Sequence, residues 1–193
     1  MKTLHVSIFV MGVAASAFGQ GQLGFDNLSN GNTSPTATSG GLFWLSTDGT
    51  PTLIHQEFNA TLYGGTDSSS LALLTTVLLS NGTGIGDNPF PGYFKEPSGN
   101  VYTIQGAVTS AFFQVQAWTG NFNSYAAAVT AGAPTAQSPV FVNSVDVPPG
   151  APDTLVGMPA MILGVPEPSA FALLGVGALC LLLCRRPRAV EPN

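Results

Sequence analysis

Asp48-Gly49, set between the runs at residues 42–47 and 52–58, is the strongest local constraint in this chain. Asp-Gly tolerates the left-handed backbone of a tight type I′ hairpin, whose twist matches that of the flanking strands. The register then places Trp44 opposite Leu53 and Phe43 opposite Ile54. Pro51 cannot donate to a ladder and marks an edge position. The same alternation of short run and turn recurs along the middle of the chain. Residues 59–63 stop at Gly64-Gly65, and residues 71–79 stop at Asn81-Gly82. The second run is apolar enough for a helix, but its bounding turns and its Thr75-Thr76-Val77 centre favour strand.

After a Gly- and Pro-rich loop at residues 82–91 come runs at 101–104 and 111–118. In the latter, Phe113, Val115 and Ala117 alternate with Gln114 and Gln116, as in a half-buried antiparallel strand. Residues 140–142 and 155–163 supply the last strands, and residues 123–132 the one short helix, capped at both ends. Residues 30–41 read as a loop or flexible insertion, and 148–152 as a semi-rigid spacer. The expected fold is mainly β, an antiparallel β-sandwich or jelly roll over residues 20–164.

Charge narrows the function. The chain has 193 residues, enough for one domain, and only 8% are charged, against about 25% in an average globular protein. Between residues 20 and 165, Lys95 is the single cation against eight acids: Asp26, Asp48, Glu57, Asp67, Asp87, Glu96, Asp146 and Asp153, a net charge of −7. Nucleic-acid binding needs cations to displace phosphate counterions, so no nucleic-acid partner is expected. A disordered segment is excluded too, since 45% of the chain is apolar and its mean hydropathy is +0.30. Both cysteines, Cys180 and Cys184, fall in the C-terminal apolar run, where they read as small hydrophobes. The middle must therefore be held by its core without a disulfide.

Both ends read as addresses. Lys2, an apolar run at residues 6–17 and the small residues Ala15, Ala17 and Gly19 make a signal peptide over residues 1–19. Cleavage fits Ala17-x-Gly19, and Ala15-x-Ala17 almost as well. At the other end, Pro166-Glu167-Pro168 precedes an uncharged run at residues 170–184, closed by Arg185, Arg186 and Arg188. As a transmembrane helix that run spans about 22 Å, short of the roughly 30 Å hydrocarbon core. The arginines would hold its far end in the cytoplasm and leave residues 20–165 outside.

Pro-Glu-Pro, a marginal span and a terminal Arg cluster, in this order, resemble the PEP-CTERM sorting signal over residues 165–188. The resemblance implies export in a Gram-negative bacterium through an inner-membrane intermediate. It also implies a transient partner, a membrane-embedded exosortase, and delivery to the cell surface or extracellular matrix. Pro166, Glu167 and Pro168 would be its recognition element, and Arg185, Arg186 and Arg188 its topology signal. The alternative is a permanent anchor; the two prolines, which keep that edge extended, favour a removable tail. Exported domains with such tails are associated with exopolysaccharide and biofilm, which implies a structural or adhesive role there. The alternatives are a carbohydrate-binding surface module and a polysaccharide hydrolase.

The residues themselves supply few parts for chemistry. His55 is the single histidine of residues 20–165, and no metalloprotease, serine-hydrolase or phosphate-loop motif is present. Residues 84–88 lack the alternating acids of a calcium loop, and Glu57 paired with an arbitrary Asp makes no glycosidase. No catalytic residue, metal site or cofactor is expected. Trp44, Trp118, Tyr63, Tyr93, Phe94 and Tyr125 could include a stacking platform for sugar rings, the first four being the candidate glycan contacts, with core packing as the competing role for each. Asn27, Asn32, Asn59 and Asn81 stand in Asn-x-Ser/Thr triplets, which arise readily in so Ser-, Thr- and Asn-rich a chain.

Overall fold

The computed structural model describes residues 19–79 and 91–165. The signal peptide, the loop containing Asn81 and residues 84–88, and the C-terminal segment from Pro166 onward lie outside the described residues. The domain is mainly β. Its strands are β1 (Gln20–Gly24), β2 (Phe43–Ser46), β3 (Thr52–Leu53), β4 (Phe58–Gly65), β5 (Ala72–Leu79), β6 (Val101–Gln105), β7 (Ser110–Trp118), β8 (Thr135–Gln137), β9 (Phe141–Ser144) and β10 (Met161–Gly164). Helix α1 (Tyr125–Thr130) lies between β7 and β8.

Eight strands form one sheet in the order β3-β2-β10-β8-β7-β4-β5, with β9 also paired to β7. β1 and β6 form a separate antiparallel ribbon. The Asp-Gly hairpin takes the expected register, Trp44 facing Leu53, and the Ile54 N–H donates to the Phe43 carbonyl at 3.1 Å. Gly49, at φ +87°, provides the left-handed turn position. β3 closes one edge of the sheet, just past Pro51, as expected. Residues 72–79 are strand and not helix, paired along β4 with one irregularity beside Tyr63. In α1, the Ser124 hydroxyl accepts from the Ala127 N–H, and Gly132 follows at φ +71°.

Two expectations are corrected and one is narrowed. The sheet is not wholly antiparallel, because β10 runs parallel to β2. The two strands are far apart in sequence, so no tight turn dictates their relative direction. Of residues 155–163, only the end from Met161 is strand. Gly157 and Pro159 interrupt the run, while Leu155 and Met158 enter the core from the loop, each fully buried. Residues 30–41 form a loop that is pinned down: Gly40 donates to the Val156 carbonyl at 2.8 Å, and Ala160 to that of Ala37 at 2.8 Å. Gly41 leaves no space for a side chain, since a Cβ there would meet the Ala160 backbone nitrogen at 2.1 Å.

The inner face of the sheet carries Phe43, Ala60, Leu62, Phe113, Val115, Ala117 and Leu163, and Leu23, Phe25 and Ile104 from the ribbon side join the same core. Phe94 sits at its centre, edge-on to Phe25 (5.1 Å, 70°) and to Phe43 (5.2 Å, 87°). Edge-to-face pairs of this kind add about 0.5–1.5 kcal/mol each beyond area burial.

Buried asparagines clip the loops to this core. Asn27 accepts from the Phe94 N–H at 2.6 Å and donates to the Gly92 carbonyl at 3.1 Å. Asn143 accepts from the Gly157 N–H at 2.6 Å and donates to the Thr154 carbonyl at 2.8 Å. Asn30 donates to the carbonyls of Gly41 (2.9 Å) and Leu155 (3.2 Å). Side-chain amides thus satisfy the Phe94 and Gly157 N–H groups and add a second donor to the carbonyls of Gly92, Leu155 and Thr154, which also accept from backbone N–H groups.

Candidate functional site

Strand alternation sends the other half of each strand's side chains to the outer face of the sheet, away from the core. Across β5, β4, β7 and β8, the register aligns Thr76 with Thr61, Thr61 with Gln116, and Gln116 with Gln137. The hydroxyls of Thr61 and Thr76 lie 2.9 Å apart, and the Gln116 amide N–H donates to the Gln137 Oε1 at 2.9 Å. This uncharged polar row is held by hydrogen bonds between its members.

Beside the row, a groove of about 370 Å³ runs between the sheet and the start of α1. Tyr63 and Leu73 come from the sheet; Asn123, Ser124 and Tyr125 come from the helix start; Trp118 lies beneath them. Tyr125 stands edge-on to Trp118, with ring centroids 6.4 Å apart. Among the described residues, no Asp, Glu, Lys, Arg or His lines this groove. Two other clefts are charged, one by Asp26, Lys95 and Glu96, the other by Glu57.

The sequence candidates separate by burial. Trp118 is 1% exposed, and its indole N–H donates to the Phe122 carbonyl at 3.0 Å. Trp44 is 9% exposed. Both are largely buried, yet neither belongs to the inner core cluster, and Trp118 lies on the outer side of the sheet at the groove. Tyr63 and Tyr93 are half-buried, Tyr63 in the groove and Tyr93 beside Phe94 in the loop before β6. Of the other two aromatics, Phe94 is fully buried in the core and Tyr125 lines the groove, whereas the Thr76-Thr61-Gln116 row was not among the predicted contacts. Alternation alone indicated that Gln116 faces outward, but its neighbours depend on strand order. Asn27 is fully buried with its amide engaged, so it is no glycan acceptor. His55 and Glu57 are exposed, and no group of three or more His, Cys, Asp or Glu side chains converges among the described residues.

In the charged cleft, burial pushes the Asp26 carboxyl above the usual range, opposed by the Leu28 N–H and by Lys95. Folding therefore favours protonated Asp26. Its contribution is fully present below the ordinary Asp range and is lost as pH rises through the raised value. Asp26→Asn is expected to raise Tm by about 2–4 °C at pH 7. The gain should disappear in acid, as thermal unfolding of both proteins across pH would show.

The C-terminal end supplies the decisive comparison. The family model for the PEP-CTERM protein-sorting motif matches residues 164–186. The chain carries a PEP-CTERM sorting signal. The PEP-CTERM motif marks an exported protein that passes through a membrane-anchored intermediate and is processed by an exosortase, a membrane protease. Pro166, Glu167, Pro168, Arg185 and Arg186 lie within the match, and Arg188 lies two residues past it. The PEP-CTERM match begins on Gly164, the last residue of β10. No curated protein and no solved structure matches the chain significantly.

Proposed function

We propose that this protein is a non-enzymatic component of the cell surface or extracellular matrix, delivered by its exosortase signal and acting through weak contacts with matrix polysaccharide. The uncharged outer face of the sheet is the observation that carries this reading. Catalysis by general acid–base groups needs side chains that titrate, and among the described residues the groove offers tyrosine phenols alone. A net charge of −7 over residues 20–165 also disfavours nucleic acids and other polyanions. The domain is read as a β-sandwich, because the β1–β6 ribbon shares one core with the inner face of the large sheet.

In this reading the helix at residues 170–184 is a temporary membrane anchor and Glu167 is central to recognition. Intact mass of protein from the cell surface and medium checks it, in wild type and Glu167→Ala. Wild type should begin near Gln20 and end near Pro166, and co-extract with polysaccharide. Glu167→Ala should accumulate in the membrane fraction with its C-terminus intact. Wild-type protein that keeps Asn193 and stays in the membrane would overturn release and leave a permanent anchor.

A further inference from the structure

The geometry points to the groove between α1 and the outer face of β4, β5 and β7 as a binding site for a segment of neutral polysaccharide. The inference rests on the matrix reading for where such a polymer is met; the site itself is built from residues remote from the sorting signal. Its volume of about 370 Å³ falls within the ~300–1,000 Å³ of ligand-sized clefts.

Its chemistry selects the ligand class. Tyr63 and Tyr125, both half-buried, each present an apolar ring body with a polar tip. A pyranose has the complementary build, C–H groups on its faces and hydroxyls around its rim. Thr76, Gln116 and Asn123 supply hydroxyl and amide groups to that rim. Gln116 gives an amide N–H to Gln137, which fixes the side chain and leaves its carbonyl oxygen as the acceptor. The Thr61–Thr76 hydroxyl contact, at 2.9 Å, holds the groove's other wall. These groups stand mainly on strands, so little ordering is needed on binding.

Other ligand classes fit less well. An anionic polymer would find no cation in the lining, and a cationic one no carboxylate. A purely apolar ligand would bury the hydroxyls of Thr76 and Ser124 without new partners. A neutral sugar chain matches both the aromatic faces and the uncharged polar rim.

The test uses protein recovered from the producing cells, titrated with cellohexaose, laminarihexaose and mannohexaose, and separately with polygalacturonate. Intrinsic fluorescence reports binding, because Trp118 contacts Tyr125 at the groove. At least one neutral hexasaccharide should give a saturable change that is insensitive to salt, and polygalacturonate none. Tyr63→Ala and Tyr125→Ala should each weaken binding about tenfold, while Tyr63→Phe and Tyr125→Phe retain most of it. Absence of saturation with all three hexasaccharides overturns the site. So does undiminished binding in folded Ala variants, or salt-sensitive binding of polygalacturonate. The matrix reading fails separately: protein that binds these sugars yet remains full-length in the membrane keeps the site and loses the release step. Variants that lose sugar binding but are still released and matrix-associated separate the site from the sorting route.

Discussion

Replacing Asn27 by Ala is expected to cost about 2–4 kcal/mol of folding free energy, a large share of the ~5–15 kcal/mol that holds a typical domain. Asn27 is fully buried, and its amide serves the Phe94 N–H at 2.6 Å and the Gly92 carbonyl at 3.1 Å. Truncation leaves the Phe94 N–H without this partner in a place that water does not reach, while the Gly92 carbonyl keeps the Phe43 N–H at 2.9 Å. The loop segment that brings Phe94 to the core is held to residue 27 by this amide and by one backbone bond, from the Asn27 N–H to the Phe94 carbonyl at 3.2 Å. Loosening it disturbs the edge-to-face contacts of Phe94 with Phe25 and Phe43. The midpoint of thermal unfolding should fall by about 10 °C or more. Asn27→Asp should also destabilise, since it keeps an acceptor but buries a charge and removes the donor to Gly92. A midpoint within two degrees of wild type for Asn27→Ala would show that the clip is dispensable.

A stop after Ala160 is expected to abolish the cooperative fold, whereas a stop after Val165 should leave it intact. β10 is the strand that joins the β2–β3 hairpin to the rest of the sheet, with β2 on one side and β8 on the other. Met161 and Leu163, 2% and 0% exposed, fill the core from it. Losing each is comparable to a large-to-small core substitution of about 2–5 kcal/mol. Together with the lost ladder, that approaches the whole stability of a domain. Circular dichroism melts of the two truncations, secreted in parallel, decide it: one sigmoidal transition for the longer chain and none for the shorter. A cooperative melt from the shorter chain would show that β10 is an accessory. The sorting motif begins at Gly164, the last residue of β10.

Local elements were largely legible. Asp48-Gly49 gave the hairpin and its register because two residues decide such a turn. Phe113, Val115 and Ala117 gave the inner face of β7 because side chains alternate with a period of two. β8 was missed: three residues closely flanked by Pro134 and Pro139 carry no alternation to read. β1 was missed as well, because Gln20 and Gly21 read as the polar boundary of the signal peptide. The parallel β2–β10 pair was illegible, since no local residue encodes which distant strand lies alongside.

The site divides along the same line. The sequence by itself determined that this is a cation-poor, disulfide-free β domain followed by a sorting signal, because composition, alternation and the Pro-Glu-Pro signal are all local or additive properties. Tertiary structure alone decided which aromatics face outward, burying Trp44 and Trp118 and leaving Tyr63 and Tyr125 at a groove. It also set Thr76, Thr61, Gln116 and Gln137 in one row and turned Asn27 from a modification triplet into a core clip. The physical reason is that strand order and burial depend on contacts between residues far apart in the chain, which no local pattern specifies.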